Sequence, residues 1–251
     1  MSHIVEKIPL IWTPPEIPNE IPHGDMPGDK VVIDKNVINK TQLIFPILLE
    51  ELKKISKEKI VLLVYGGSGV GKSGIASLLA FYLTKIGIQS YTMSGDNYPY
   101  RIPFYNDKER ERVYAEFGVD GLRQYLGSEY ELNYKEVNEI IRQFHKGRDK
   151  IFLRRMGREI TDLWYEEVSF VNTEVLIIEW THGNNPNLQK IDIPIFLDST
   201  PEETLEYRLI RNRDGQVDSP FTTLVLKIEQ ELLASQRNTA KICISRGGKL
   251  E

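Results

Sequence analysis

The stretch VLLVYGGSGVGKSGIASLLA, residues 61–80, constrains the fold more than any other part of this chain. Its first five residues are apolar or aromatic and predict a buried strand, whereas the small and apolar residues after the glycines predict a helix. Between them, Gly66, Gly71, Lys72 and Ser73 satisfy the pattern GxxxxGK[ST]. This pattern is informative only between a strand and a helix, and both are predicted here. The stretch therefore indicates a strand–loop–helix unit of an α/β sheet.

The loop between this strand and helix has the chemistry of a phosphate-binding loop. Its glycines allow the backbone to curl so that successive N–H groups point at phosphate oxygens, and the helix adds its positive N-terminal end. Lys72 would reach the β- and γ-phosphates, and the Ser73 hydroxyl would bind Mg²⁺. A glycine-rich turn that binds nothing is the alternative. The predicted nucleotide-binding residues are Gly66, Gly67, Ser68, Gly69, Val70, Gly71, Lys72, Ser73 and Gly74.

Length and charge limit the kind of protein that carries this loop. A chain of 251 residues with 41% hydrophobic residues can build one α/β domain with appendages. A net charge of −4 gives no general reason to expect a nucleic acid or an anionic membrane as partner. The single cysteine, Cys243, excludes an intramolecular disulfide and suits a reducing compartment. No apolar run approaches the ~18 residues of a membrane span, so we expect a soluble, cytoplasmic protein.

Residues 1–30 differ in composition from the rest of the chain. Repeated X-Pro steps favour an extended path over a helix. The segment is also too apolar for a free linker, so we predict a proline-rich arm that packs against the body or a second subunit, followed by one domain over residues 31–251. The prolines are Pro9, Pro14, Pro15, Pro18, Pro22 and Pro27.

Beyond residue 31, short apolar runs alternate with helical patterns. Such alternation predicts a parallel sheet with helices on both faces, a three-layer α/β/α fold. Apolar residues at helical spacing predict a further helix over residues 41–57, before the first strand. The predicted strands are Ile60–Tyr65, Ile88–Met93, Val175–Glu179, Ile193–Leu197 and Lys241–Ser245.

Two acidic residues at strand ends could complete the site. Asp96 lies just past the second predicted strand, where open parallel sheets place groups that contact ligands. Its carboxylate could accept the proton of a substrate hydroxyl or bind the metal, and a loop-capping aspartate is the alternative. The strand VLIIEW carries Glu179 where switch ATPases usually carry Asp. Because the chain also has no NKxD-type guanine-reading motif, a GTPase is disfavoured.

The order of these motifs resembles the uridine kinase and phosphoribulokinase family of P-loop kinases over about residues 61–245. The matching segments are GGSGVGKS, SGDNY, VLIIEWTHG and IFLDSTPEETLEYRLIRNRD. The resemblance implies a nucleoside-monophosphate-kinase-like fold, ATP and Mg²⁺ as cosubstrates, and transfer of the γ-phosphoryl group to a small hydroxylated acceptor. It implies that Lys72 and Ser73 bind the triphosphate and Mg²⁺. It also makes Asp96 the catalytic base or a metal ligand, and Glu179 a carboxylate on the metal or acceptor side.

The same resemblance places a lid at about residues 208–220. Arg208 and Arg211 fall at family-like positions for contact with the nucleotide, and Arg213 at one for catalysis. An arginine fork suits the delocalised charge of a phosphoryl group in transfer, and a closed lid excludes water. Alternatively, Arg208 and Arg211 are solvated on one exposed helix face.

The acceptor side departs from the family. The YDF-like segment typical of uridine kinases is replaced by IFLRRMGREITDLWYEEVSF, whose arginines could bind an anionic acceptor together with Arg101. Alternatively these arginines are surface charges balanced by nearby acids. Tyr98 and His182 could each contact the acceptor or be structural. The predicted substrate-binding residues are Asp96, Tyr98, Arg101, Arg155, Arg158, Glu179 and His182, with Arg154 beside them.

Residues of about 104–147 form a charged helical insertion that would be the acceptor cap. Its aromatic residues could instead form a contact between two copies in a homodimer. We expect an ATP- and Mg²⁺-dependent kinase that acts on a hydroxyl of a small metabolite, such as a nucleoside, a sugar phosphate or a hydroxy acid. An ATP-hydrolysing regulatory module without an acceptor and an adenylylsulfate kinase-like enzyme are the alternatives.

Overall fold

The computed structural model describes residues 3–29, 31–157, 159, 161–211, 219–245 and 247–250, with the backbone alone at 210 and 211. The strands are β1 Ile60–Gly66, β2 Ser90–Ser94, β3 Lys150–Met156, β4 Leu163–Ser169, β5 Val175–Glu179, β6 Ile193–Asp198 and β7 Ile242–Ser245. The helices are α1 His3–Lys7, α2 Lys35–Lys53, α3 Lys72–Lys85, α4 Pro103–Tyr125, α5 Tyr134–His145, α6 Pro201–Arg211 and α7 Pro220–Ser235.

Five strands form one parallel sheet in the order β2-β5-β1-β6-β7. Side chains of β1 alternate between its two faces, as they do in any strand. Leu62 and Val64 join one core cluster with α2 and α3, whereas Leu63 and Tyr65 join a second cluster with α5. Helices therefore cover both faces of the sheet, and the predicted three-layer α/β/α fold is confirmed.

Helix starts follow the capping residues in the sequence. Asn133 Oδ1 accepts from the Glu136 N–H at 3.1 Å at the start of α5. At α6, Thr200 Oγ1 accepts from the Glu203 N–H, and the Glu203 carboxylate accepts from the Thr200 N–H, which is a complete capping box. Ser219 caps α7 by accepting from the Thr222 N–H. Local chemistry therefore sets these helix boundaries.

The β3–β4 hairpin was not predicted from the sequence. Its strands pair antiparallel from Lys150 with Ser169 to Met156 with Leu163, apart from the main sheet. Charged residues interrupt the apolar ones in both strands, and every residue of β4 is exposed or half-buried. The pairing depends on contacts across the hairpin, such as Arg155 Nε to Glu166 Oε2 at 3.0 Å.

The N-terminal segment packs on the body of the protein. It begins with the short helix α1, which the X-Pro steps did not predict, and then follows a path without regular structure. The Trp12 ring lies 4.8 Å from the Phe45 ring of α2 and 5.2 Å from the Tyr82 ring of α3. Lys7 pairs with Glu174 at 2.7 Å. The arm thus covers helices on one face of the sheet.

Helices α4 and α5 make up the insertion between β2 and β3. Gly118, with φ of 67°, interrupts the helical path of α4 and kinks it. Four aromatic residues of α4 are exposed, and their predicted role in a homodimer stays a prediction. These residues are Phe104, Tyr105, Tyr114 and Phe117. Within the described part of the chain, no helix is both long and apolar enough to cross a membrane.

Candidate active site

The phosphate-binding loop joins β1 to α3 at the carboxyl end of the sheet. Gly71 is the N-cap of α3 with φ of 97°, a left-handed conformation that a side chain would strain. Lys72 and Ser73 open α3, so their backbone N–H groups lie at the positive end of the helix. The Lys72 Nζ donates to Gly67 O at 3.1 Å, which holds the amine over the loop.

A cavity of about 350 Å³ opens beside this loop. The loop, the ends of β2 and β5, and the helices α4, α6 and α7 contribute its walls. Elements far apart in sequence therefore meet at one edge of the sheet, as expected for parallel strands whose carboxyl ends lie side by side. The described lining residues are Ser68, Gly69, Gly71, Lys72, Ser73, Asp96, Asp107, Arg110, Glu111, Glu179, Thr181, Arg208, Ser219, Phe221, Thr222, Val225, Leu226 and Glu229.

Glu179 is a buried carboxylate at the end of β5 that lines this cavity. Its Oε2 accepts from the Ser73 hydroxyl at 3.3 Å, and its Oε1 accepts from the Ser94 hydroxyl at 2.5 Å. Burial, with the nearby negative charge of Asp96, raises the pKa of Glu179 to about 7, although Lys72 opposes this shift. The group therefore changes charge near neutral pH unless a cation joins it.

Asp96 lies in a single 3₁₀ turn, Gly95–Asn97, that follows β2 directly. Its residue is exposed and lines the same cavity as the loop residues Lys72 and Ser73. The ring of Trp180 packs so closely on Gly95 that a Cβ there would lie 2.0 Å from Trp180 Cγ. Only glycine fits this contact. Trp180, which directly follows the adjacent strand β5, therefore shapes the turn that carries Asp96.

The residues present fit a triphosphate and Mg²⁺. The loop offers a helix N-terminus and an amine for phosphate oxygens. Ser73, Asp96 and Glu179 offer hard oxygen ligands on one side of the same cavity, as Mg²⁺ prefers. In the described part of the chain, no group of three or more His, Cys, Asp or Glu residues could hold a metal ion by itself.

Helices α4 and α7 form the opposite wall around Arg110. The Arg110 Nε pairs with Glu131 Oε1 at 2.6 Å, and its Nη2 lies 3.6 Å from Glu229 Oε1 of α7. Glu131 is 0% exposed and also accepts from the Gly127 N–H at 2.6 Å. The charge of Arg110 is therefore balanced within the protein.

Tyr98 and Arg101, predicted to bind substrate, do not line the cavity. Tyr98 is 0% exposed, and its hydroxyl lies 3.7 Å from Met93 Sδ in the core. Arg101 donates to the Tyr125 hydroxyl at 3.2 Å and pairs with Glu109 at 3.6 Å. In this structure Tyr98 packs in the core and Arg101 braces α4, and their predicted contacts with a substrate stay predictions.

Arg154 and Arg155 of β3 bind other parts of the protein and do not line the cavity. The Arg154 Nε donates to Asn97 O at 2.6 Å, next to the turn that carries Asp96. The Arg155 Nη1 pairs with Asp25 Oδ2 at 2.9 Å and its Nε with Glu166. Both side chains are buried and paired within the protein, and their predicted role in a pocket for an anionic acceptor stays a prediction.

His182 lies behind the cavity wall. Its Nε2 is 3.3 Å from Glu229 Oε1, and its backbone carbonyl accepts from the Tyr134 hydroxyl at 3.3 Å. Thr181, one residue earlier, lines the cavity instead. His182 thus contacts a residue of the cavity wall, Glu229, and its predicted contact with the acceptor stays a prediction.

Only part of the predicted lid lies within the residues that the structure describes. Arg208 of α6 lines the cavity and donates to Pro201 O at 2.7 Å. The side chain of Arg211 and the whole of Arg158 and Arg213 lie outside the described residues. The predicted roles of these three arginines stay predictions.

Several residues of the site had no signal in the sequence. Arg110 and Glu229 sit on helices whose patterns are typical of ordinary exposed helices, and only their pairing across the cavity distinguishes them. Ser94 opens the SGDNY motif, but no role was predicted for it, and Asp25 lies in the proline-rich arm. The partners of these four residues are between 21 and 130 residues away in the sequence, so no local pattern could reveal them.

Fold and site together define the class. A parallel sheet with a GxxxxGK[ST] loop after its first strand, a carboxylate after the second and a buried glutamate on the strand between them is the P-loop kinase fold.

Comparison with known proteins agrees with this class. The chain is 45% identical over 195 residues to the bifunctional α-galactosidase/sucrose kinase AgaSK of Mediterraneibacter gnavus. The match covers 78% of this chain and 21% of that protein, so the chain spans about a fifth of the relative's length. No protein-family model matches the sequence.

Solved structures share the fold at low sequence identity. Phosphoribulokinase from Rhodobacter spheroides aligns with a TM-score of 0.57 at 16% identity, covering 76% of this chain and 71% of that one. D-glycerate 3-kinase from Cryptococcus neoformans aligns with a TM-score of 0.55 at 12% identity, covering 86% and 98%. The predicted resemblance to the uridine kinase and phosphoribulokinase group is thus confirmed at the level of the fold.

Proposed function

We propose that this chain is an ATP- and Mg²⁺-dependent kinase that phosphorylates a hydroxyl of a neutral sugar. One observation carries the proposal: the loop residues Lys72 and Ser73 share a single cavity with the carboxylates of Asp96 and Glu179. A phosphate-binding loop, metal ligands and a base for a hydroxyl proton are the parts that phosphoryl transfer requires.

The 45% identical relative supports the kinase class and suggests the acceptor. Its name combines two activities, α-galactosidase and sucrose kinase. Only phosphoryl transfer calls for a GxxxxGK[ST] loop, which this chain carries at residues 66–73. Sucrose is therefore the first acceptor to test.

The residues of the cavity divide the chemical work between them. Bound Mg²⁺·ATP supplies the transferable phosphoryl group and a divalent positive charge. Lys72 and the N–H groups at the start of α3 bind phosphate oxygens, and the Ser73 and Glu179 oxygens are the metal-side ligands. Asp96, in the same cavity, would orient the attacking hydroxyl and accept its proton.

The charge of the cavity favours a neutral acceptor. Among the described lining residues, carboxylates outnumber cations, and the cation on the α4 wall, Arg110, is already paired with Glu131 and Glu229. Carboxylates only accept hydrogen bonds, which suits the hydroxyl groups of a sugar and repels a phosphate or carboxylate. The carboxylates are Asp96, Asp107, Glu111, Glu179 and Glu229, and the cations are Lys72, Arg110 and Arg208.

An acceptor panel tests the proposal directly. ADP formation is measured with Mg²⁺·ATP and sucrose, fructose, fructose 6-phosphate, glycerate, uridine or adenylylsulfate. We expect sucrose or another neutral sugar to raise ADP formation by about tenfold or more over the rate without acceptor, because a kinase that excludes water hydrolyses ATP slowly alone. Mass spectrometry of the acceptor should show one added phosphoryl group.

The Asp96→Asn variant is the control for the chemical step. It should bind ATP almost normally but transfer on the order of a hundredfold more slowly, since the base is lost. Near-normal transfer by this variant would remove Asp96 from the base role. Steady ATP hydrolysis that no acceptor stimulates would indicate a regulatory module and not a kinase. A preference for fructose 6-phosphate, glycerate or adenylylsulfate would contradict the proposal of a neutral acceptor.

A further inference from the structure

Asp25 is a buried carboxylate contributed by the proline-rich arm. Its side chain is 7% exposed, although the arm around it has no regular secondary structure. Four donors surround its two oxygens, which is an unusual density of contacts for a residue of an irregular segment. The arrangement indicates a fixed position and not a chance surface contact.

The two oxygens of Asp25 serve different parts of the molecule. Oδ1 accepts from the Ser94 N–H at 2.7 Å and from the Asn97 side-chain amide at 3.1 Å. Oδ2 accepts from the Tyr91 hydroxyl at 3.0 Å and from the Arg155 guanidinium at 2.9 Å. One oxygen therefore holds the turn after β2, and the other anchors Asp25 to β2 and the β3–β4 hairpin.

The residues held by Oδ1 flank Asp96. Ser94 precedes the Gly95–Asn97 turn and Asn97 ends it, so both ends of the turn bind the same oxygen. The Ser94 hydroxyl also donates to Glu179 at 2.5 Å. A shift at Asp25 would thus move the turn that presents Asp96 to the cavity.

We propose that Asp25 is a positioning residue for phosphoryl transfer, which acts by clamping both ends of the turn that carries Asp96. The inference rests on the proposed kinase function and extends it to the N-terminal arm. Catalytic groups must be held to within about half an ångström of their productive geometry, and hydrogen bonds from a second layer of residues usually do this.

The hairpin holds the same turn from its other side. The Met156 N–H donates to Asn97 Oδ1 at 3.0 Å, and the Arg154 Nε donates to Asn97 O. Loss of Asp25 therefore leaves Asn97 with partners but removes the acceptor of the Ser94 N–H. The expected defect is a misplaced Asp96 in a folded protein, and not a loss of the whole turn.

Steady-state kinetics with the best acceptor test the clamp. Asp25→Ala should lower kcat by about tenfold or more while changing the KM for ATP by less than about threefold, because the phosphate-binding loop is untouched. Asp25→Asn should lose less kcat than Asp25→Ala, since its amide oxygen can still accept from Ser94 and Asn97 although its NH2 group cannot accept from Tyr91 and Arg155.

Lys7→Met is the matched control. Lys7 also joins the arm to the body, through its 2.7 Å pair with Glu174, but it does not contact the turn. It should leave kcat within about twofold of the parent protein. An equal loss of kcat in Lys7→Met and Asp25→Ala would overturn the proposal, because the arm as a whole would then be responsible.

A double-mutant cycle with Asp96→Asn separates positioning from general damage. If Asp25 acts through Asp96, adding Asp25→Ala to Asp96→Asn should cost at most about threefold in kcat. A further loss as large as that of Asp25→Ala alone would overturn the proposal, since the two effects would be independent.

Amide hydrogen exchange gives a result that does not depend on activity. The Ser94 amide should exchange faster in Asp25→Ala than in the parent protein and in Lys7→Met, because its acceptor is lost. Unchanged protection of Ser94 would overturn the clamp. If no acceptor supports transfer, the proposed function fails by that result alone, and exchange still decides whether Asp25 holds the turn.

Discussion

Glu179 shows how one residue can link charge, metal binding and stability. Burial and the charge of Asp96 raise its pKa to about 7, well above the ordinary value of 4.5. A cation bound beside Ser73 favours the charged form, so the metal and the proton compete for this carboxylate. The site is therefore sensitive to pH in the neutral range.

We predict that Mg²⁺ binding strengthens as pH rises through about 7, because deprotonated Glu179 is the ligand. The pH below which the rate of phosphoryl transfer falls should decrease as the Mg²⁺ concentration increases. Titration of Mg²⁺ activation between about pH 6 and pH 8 measures this. In Glu179→Gln the steep dependence should disappear, together with most of the activity.

The same pKa shift has the opposite consequence for folding. A carboxyl group whose folded pKa lies above its unfolded value favours the folded state less as pH rises from about 4.5 to about 7. Without Mg²⁺, Glu179→Gln should therefore melt at a higher temperature than the parent protein at about pH 8 and show little gain at about pH 4.5. A uniform gain or loss across this range would contradict the raised pKa.

At the scale of elements, one cluster of charges joins α4 to α7. Arg110 of α4 lies between two buried carboxylates, Glu131 and Glu229, and the second of these belongs to α7. Burial by itself would raise the pKa of both carboxyl groups. Arg110 beside Glu131, and His182 beside Glu229, outweigh burial and hold each pKa below its ordinary value. The cavity wall thus depends on a charge balance across two helices.

Arg110→Met should lower the free energy of unfolding by about 3 kcal/mol at about pH 7.5, because it leaves two buried carboxylates without their cation. Carboxylates with lowered pKa values stabilise the fold above their unfolded pKa, so the deficit should shrink as pH falls toward about 4. Urea unfolding at both pH values measures the difference.

Arg112→Met on the same helix is the control for that measurement. Arg112 pairs with Glu109 and Glu116 on an exposed face, where solvent screens ion pairs. It should change stability far less than Arg110→Met. Equal effects of the two substitutions would show that α4 is weakened as a helix and that the buried charges are not responsible.

Elements differ in how far the sequence reveals them. The central strands β1, β5 and β6 are largely apolar because helices cover both faces of the sheet, and all five strands of that sheet were predicted. In the β3–β4 hairpin, charged residues interrupt the apolar ones and β4 is largely exposed, so cross-strand pairing defines it. Such pairing is not read from the pattern of a single strand.

At the scale of the whole molecule, the arm is part of the folded body. Trp12 packs between Phe45 of α2 and Tyr82 of α3, and Ile4 is buried in the same cluster. Asp25 then joins the arm to the turn beside the cavity. The arm therefore couples a distant face of the sheet to the candidate active site.

Trp12→Ala should lower the free energy of unfolding by about 2 kcal/mol, because it removes aromatic contacts with two helices. Ile11→Ala is the control, since Ile11 is 84% exposed and should change stability by less than about 0.5 kcal/mol. Chemical denaturation of both variants measures this. A loss near zero for Trp12→Ala would show that the arm adds no stability.

The sequence alone determined the phosphate-binding loop, the strands of the main sheet and the places of Asp96 and Glu179 at strand ends. Each depends on residues adjacent in the chain: a glycine pattern, an apolar run or a residue directly after a strand. The tertiary structure decided which charged side chains reach the cavity. It buried Tyr98 and Arg155, brought Arg110 into the wall and put Asp25 against the catalytic turn. The physical reason is that burial and pairing depend on partners distant in sequence, and those distances exist only after the chain has folded.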